Sequence, residues 1–234
     1  MTLQEMIYKR RSCRGFTNVP VEEELIRKIR DFPLKPLYPD IPVRWDIVSR
    51  AEVKCICPWT TAQLITVYSE EKEGYLENVG FLFQQMDLYL QSLGLGVCWL
   101  GMGKMNPKTA QGEDSMQFVI MLSFGYPKGD QLRRDGKGFK RKNLAQISDR
   151  EDPRLEPARL APSSVNSQPW YFSHTEDTIH VYCTRKGMRN YLNRIDMGIV
   201  LAHLYVANAD TFRFFQAENV PTVQGYGYIG SVTI

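Results

Sequence analysis

Apolar positions recur along this chain in two rhythms. From Gly74 to Leu93 they fall at helical spacing, with Tyr75, Val79, Leu82, Phe83, Met86, Leu90 and Leu93 on or near one face and Gly94 as a natural stop. A second amphipathic helix is predicted over 195–209. Shorter ones are predicted from Leu3 behind a Thr2–Glu5 capping box into Lys9-Arg10-Arg11, over VEEELIRKIRDF after Pro20, and over 153–160. In the VEEELIRKIRDF segment Leu25, Ile26 and Ile29 form one stripe, with acidic residues in the first turn and basic ones later, as the helix dipole favours. Compact apolar runs predict strands at 43–49, 63–69, VCWLG (97–101), QFVIMLSFG (117–125), 170–173, 178–183, 213–216 and 226–234. Prolines at 33, 36, 39 and 42 keep the three-residue polyproline II period, which reads as an extended surface connector or as a Pro-rich ligand segment. The polar, basic stretch 127–143 reads as a loop. Helices and strands alternate without segregation, so the fold class is α+β (α/β mixed).

The two rhythms repeat. RWDIV, then YLENVGFLFQQMDLYL, then VCWLG and a terminal strand are matched later by PWYFS, YLNRIDMGIVLAHLYV, FRFFQ and a terminal strand. Each long helix opens on Tyr-Leu and carries one glycine, Gly80 or Gly198. The pattern suggests an internal duplication, against chance likeness of two strand–helix–strand stretches.

Composition narrows the class. The chain has 234 residues and 27.0 kDa, with 43% hydrophobic and 24% charged residues, which is ordinary for a globular protein of one large or two small domains. No apolar run approaches the roughly 20 residues that span a bilayer, and the N-terminal MTLQEMIYKRRS has no apolar core, so neither membrane partner nor signal peptide is expected. Five cysteines in no regular framework predict free thiols in a reducing cytoplasm. A net charge of +3 is too small to imply a nucleic-acid partner, but the positive charge is clustered.

Three segments carry chemistry. Arg10-Arg11-Ser12-Cys13-Arg14-Gly15-Phe16 places three guanidiniums and a hydroxyl within five residues, an anion socket or a solvated basic helix end. Ala161-Pro162-Ser163-Ser164-Val165-Asn166-Ser167-Gln168-Pro169-Trp170 is a loop rich in hydrogen-bonding groups with little side-chain entropy to lose. It suits a flat polar heterocycle, or an ordinary turn. Leu93-Gly94-Leu95-Gly96-Val97-Cys98-Trp99-Leu100-Gly101 lets backbone approach a ligand closely, but it follows a helix and lacks a third spaced glycine, so it is no dinucleotide fingerprint.

Together these segments resemble the FMN-dependent nitroreductase family. RRS-x-R-x-F, APSS-x-N-x-QPW-x-F and GLG-x-x-W-x-G are that family's signatures. Gly125-Tyr126-Pro127 followed by a basic residue, Arg141, is a weaker fourth. The order departs from the usual one, because the APSS loop ordinarily follows the RRS motif closely and here arrives only at Ala161. The chain is similar to the branch in which two nitroreductase-like halves are fused in one polypeptide. That implies halves at 1–148 and 149–234, an intrachain pseudo-dimer with one flavin in the cleft joining them, and a monomer, with a homodimer as the alternative. The resemblance implies Arg10, Arg11, Ser12 and Arg14 at the FMN phosphate, with Arg141 as a further cation. Pro162, Ser163, Ser164, Asn166 and Gln168 would line the ring and ribityl chain, and backbone at Leu100, Gly101 and Met102 would face the reactive edge. No acid–base residue is required, since the flavin carries the hydride chemistry. The activity implied is ping-pong reduction of a small electron-poor acceptor, nitroaromatic or quinone-like, by NAD(P)H.

Other candidates are set aside. Cys55-x-Cys57 lacks a matching pair for a metal, His174, His180 and His203 lack ligand spacing, and no G-x-S-x-G elbow supports a hydrolase. The run 133–142 holds six Lys/Arg with Phe139 interleaved, a solvated loop or phosphate support. Two competing readings stay open: FMN binding without turnover, for sensing or storage, and a nucleic-acid or phospho-ligand module using the basic clusters.

Overall fold

A computed structural model describes residues 1–59, 61–106, 116–130, 132–133, 138–186 and 190–234. The chain divides into two compact units, the first Met1–Tyr75 with Gln85–Lys137, the second Leu76–Gln84 with Gly138–Ile234. The second unit thus takes in the first half of a long helix as well as the chain after 137.

In the first unit, α1 (Leu3–Ile7) starts on the expected capping box, with Thr2 and Glu5 bonded reciprocally. It ends before Lys9-Arg10-Arg11, which leave the helix to run against the sheet. The second helix, α2 (Glu23–Arg30), buries Ile26 and Ile29. Strands β1 (Val43–Ser49) and β3 (Gln63–Ser69) have the expected bounds and pair in register from Val43↔Ser69 to Ser49↔Gln63. Residues 33–42, with their four prolines, hold no helix or strand. Helix α3 (Tyr75–Ser92) begins on Gly74, whose φ of 87° suits glycine. Strands β4 (Gly96–Leu100) and β6 (Gln117–Gly125) complete an antiparallel sheet of order β1-β3-β6-β4. The unbroken apolar run of β6 is explained by its central place, buried from Val119 to Gly125. A two-stranded ribbon, β2 (Val53–Cys55) with β5 (Gly103–Met105), was not predicted; three-residue strands are too short to show alternation.

In the second unit, α4 (Leu144–Ile147) and α5 (Glu156–Leu160) precede β7 (Trp170–Thr175) and β8 (Thr178–Thr184). Helix α6 (Asn190–Ala207) starts before the expected 195, and β9 (Arg213–Phe215) and β10 (Tyr226–Thr233) close a sheet of order β7-β8-β10-β9. The predicted helix over 153–160 is a 3-10 turn at 153–155 running into α5. Both four-stranded sheets share one topology. Two strands, a long helix and two more strands follow in the chain, and the sheet runs first–second–fourth–third.

Within the second unit, α6 meets residues 76–84 of α3 at the two glycines flagged by the repeat. A Cβ on Gly80 would collide with the Ile195 carbonyl and come 3.2 Å from the Gly198 Cα, and a Cβ on Gly198 would collide with the Glu77 carbonyl and the Phe81 amide. The contacts are reciprocal, each glycine facing the residue three before the other. His203 is a satisfied core residue, its Nδ1 2.9 Å from the Pro157 carbonyl and its Nε2 3.2 Å from Gln84 Nε2. Among the described residues no helix is long and apolar enough to cross a membrane, and no cluster of His, Cys, Asp or Glu could hold a metal.

Candidate functional site

Three of the sequence signatures meet on the first unit. Residues 10–17 run as an extended strap along β4. Ser12 bridges Val97, the Cys13 amide donates 2.8 Å to the Val97 carbonyl, Phe16 bridges Pro127, and the Thr17 amide donates to Tyr126. Gly96 makes the approach possible, since a Cβ there would fall 2.6 Å from Cys13 Sγ. The RRS segment, the GLG strand and the Gly125-Tyr126-Pro127 turn are therefore one surface.

The strap's guanidiniums are not equivalent. The Arg10 side chain is 2% exposed and pairs at 3.2 Å with Asp87 of α3, itself fully buried. Asp87 also accepts from Trp99 Nε1 at 3.2 Å and from Gln91, so the Trp of the GLG strand helps hold the counter-ion. Arg10 Nη2 reaches Ser12 Oγ at 3.4 Å, while its buried Nε has no partner among the described residues. Arg11 and Arg14 are exposed. Arg14 lies 5.4 Å from the centre of the Trp59 ring, and neither makes an ion pair among the described residues. The Arg10 carbonyl accepts from the Arg133 guanidinium, which burial and then its neighbours Arg10 and Arg11 push down to about 10. Arg10, Arg11 and Arg133 thus lie close enough for their charges to act on one another, and the field there favours an anion. Arg133 belongs to the basic run read above as loop or phosphate support; the rest of that run at 134–137 lies outside the described residues. The thiols nearby are inert structural groups, with Cys98 raised to about 12 chiefly by burial.

Leu100 is buried at the end of β4, and Gly101 and Met102 form the exposed turn into β5. Met102 is 59% exposed.

The fourth signature lies on the second unit, where the loop 162–168 is strained and strongly braced. Val165, Asn166 and Gln168 have φ of 47°, 59° and 48°, the left-handed region that ordinary side chains avoid. Ser163 Oγ accepts from the Gln168 amide at 2.8 Å. Arg141, expected as a further phosphate cation, clamps this loop, donating to the Ala161 and Leu160 carbonyls and to Asn166 Oδ1 at 2.5 Å. Gln168 is buried, and its Oε1 accepts from the Lys142 amide. Pro162 is buried, and Ser163 and Ser164 are half-buried.

Beneath the loop sits Asp196 of α6, which the sequence reading missed. Both its oxygens accept the Ser164 amide, at 3.0 and 3.1 Å. A lone acid in the apolar run IDMGIVLAHL was the available signal. Burial raises its pKa to about 8, more than the Ser164 bond lowers it. An unfolded Asp titrates near about 3.9, so from about pH 4 to 8 the folded chain holds a proton that the unfolded chain releases, and stability falls as pH rises. Asp196→Asn is expected to flatten that decline, measured as the denaturant midpoint at several pH values; an unchanged slope would show that Asp196 is not its source.

His174 is locked in the second unit, with Nδ1 2.5 Å from Asp149 and Nε2 3.2 Å from Asp152, so it serves structure.

No curated protein sequence matches the chain. Among solved structures, a "putative nitroreductase" from Thermotoga maritima is 20% identical and aligns over 99% of this chain and 92% of its own, with a TM-score of 0.67, which shows a shared fold. A "Putative NADH dehydrogenase/NAD(P)H nitroreductase" from Bacteroides thetaiotaomicron is 19% identical over 57% of this chain and 91% of its own, with a TM-score of 0.46. A "putative nitroreductase in complex with fmn" from Desulfovibrio desulfuricans is 20% identical over 62% of this chain and 93% of its own, with a TM-score of 0.45. The family described as "Putative TM nitroreductase" matches residues 2–208, most of the chain, and this protein belongs to it.

Proposed function

We propose that the chain is an FMN-dependent oxidoreductase that reduces a small electron-poor acceptor, nitroaromatic or quinone-like, with NAD(P)H in two half-reactions. The observation that carries this reading is the strap that bears the family's RRS signature, where the exposed Arg11 and Arg14 flank Ser12 and where Arg10 and Arg11 act on the charge of Arg133. Such a site fits a phosphate dianion, which Arg recognises through paired N–H donors.

Arg11, Ser12 and Arg14 hold the phosphate in this reading, and Arg133 adds to the field. Arg10 positions the strap through Asp87. The loop Pro162–Gln168 lines the flavin with Ser163, Ser164 and Asn166, its shape fixed by Arg141, Lys142 and Asp196. Backbone at Leu100, Gly101 and Met102 faces the reactive edge. Bound FMN supplies the hydride chemistry, while the protein binds, orients and shields it. The shared strand order of the two sheets supports descent of both units from one duplicated ancestor.

The test is FMN affinity by flavin fluorescence. A charge-assisted hydrogen bond contributes about 1.5–3 kcal/mol, so Arg11→Ala and Arg14→Ala should each weaken FMN binding about 10- to 150-fold. Arg14→Lys should recover only part of the loss. Ser163→Ala with Asn166→Ala should also weaken FMN binding. Wild-type affinity in both arginine variants would overturn the phosphate assignment.

A further inference from the structure

The β2–β5 ribbon of the first unit carries a feature that the flavin reading does not use. Lys54 and Lys104 stand directly opposite each other across this two-stranded pair, and both are exposed. Like charges in that position destabilise a sheet. Just past the end of the ribbon, beyond the Cys55↔Gly103 pair, lie Ile56 and Met102, two of the most exposed apolar side chains among the described residues at 80% and 59%. All four residues line a cavity of about 550 Å³, a volume typical of small-molecule sites. Arg50, bonded to the Val53 carbonyl at 2.9 Å, adds a third cation to its wall, and among the described residues lining it none is acidic.

We propose that this cavity binds a small amphipathic organic anion, an aromatic or acyl acid whose apolar body lies over Ile56 and Met102 and whose acid group sits at Lys54 and Lys104. Each half of the pattern is unfavourable without such an occupant. The opposed ammonium groups repel, and the apolar pair is left to water. A ligand with one anionic end and a body several ångströms long relieves both. A neutral apolar ligand would leave the repulsion between the lysines in place, and inorganic phosphate would leave the apolar pair uncovered. The inference shares only Met102 with the flavin reading, here through its side chain and there through its backbone, and it needs neither the arginine strap nor the 162–168 loop.

The test is isothermal calorimetry of the full-length protein with 2-naphthoate and with 2-naphthamide, its neutral isostere. One naphthoate should bind per chain, at least about tenfold more tightly than the amide, as charge-assisted contacts give. Lys54→Glu places opposite charges across the ribbon, so its melting temperature should hold or rise while naphthoate affinity falls about tenfold or more. Lys104→Gln should act in the same direction, and Ile56→Ser should weaken both probes. Equal affinity for acid and amide, an unchanged naphthoate affinity in both lysine variants, or no saturable binding of either probe would overturn the proposal.

Discussion

Gly80→Ala and Gly198→Ala are each expected to destabilise the protein by about 3 kcal/mol or more, at or above the usual cost of overpacking a close-packed interior. In an exposed helix the same change would stabilise, by about 1 kcal/mol from helix propensity. The sign reverses because each new methyl meets backbone of the facing helix, the Ile195 carbonyl in one case and the Glu77 carbonyl in the other. Backbone cannot rotate away as a side-chain tip can, so α6 and residues 76–84 of α3 must separate. Separation also strains what flanks the crossing, including Arg194 on Glu77 and the Gln84–His203–Pro157 bonds. The double variant should cost less than the sum of the singles, since one displacement accommodates both methyls. Gly15→Ala is the control, as its nearest new neighbour would be Lys128 Cβ at 3.9 Å. Denaturant midpoints at constant m-value measure all four. Near-neutral effects at Gly80 and Gly198 would mean the helices do not cross at the glycines.

The second large effect is at the buried pair. Asp87→Ala is expected to cost about 3–5 kcal/mol, the usual result of leaving one charge of a buried pair uncompensated. It also removes the acceptor of Trp99 Nε1 and of Gln91. Arg10→Met should cost a similar amount. Combining Arg10→Met with Asp87→Leu should recover much of the stability, because a matched apolar pair needs no desolvation of charge. Flavin affinity in that double variant separates two roles for Arg10. If Arg10 only positions the strap, affinity should fall far less than in Arg14→Ala.

The long-range pattern of this fold was legible in its sequence because strong periodicity and burial coincide. The bounds of β1, β3 and β6 follow from apolar runs, and α3 follows from its stripe and its flanking glycines. Signals shorter than one period were not legible. The ribbon β2–β5 has three residues a side, and α4 is a single capped turn. In the candidate site the residue types were readable but not the direction in which each side chain points. Arg10, Arg11 and Arg14 look alike in sequence, yet Arg10 turns inward because Asp87 of α3 is there to receive it. Arg141 turns to its own loop because carbonyls of Leu160 and Ala161 lie open at the end of α5. Asp196 was hidden for the opposite reason. It belongs to a helix that otherwise reads as core, and only the strained backbone at Val165, Asn166 and Gln168 shows why an acid is placed beneath it.

The central claim is that this chain carries FMN and passes hydride equivalents through it. The most direct measurement is the visible spectrum of FMN-loaded protein under anaerobic conditions as NADH or NADPH is added without any acceptor. One FMN per chain is expected, with oxidised-flavin absorbance lost on addition of the nicotinamide and restored by a nitroaromatic or a quinone. Protein that retains no FMN, or bound FMN whose spectrum neither nicotinamide changes until an acceptor is also present, would contradict it.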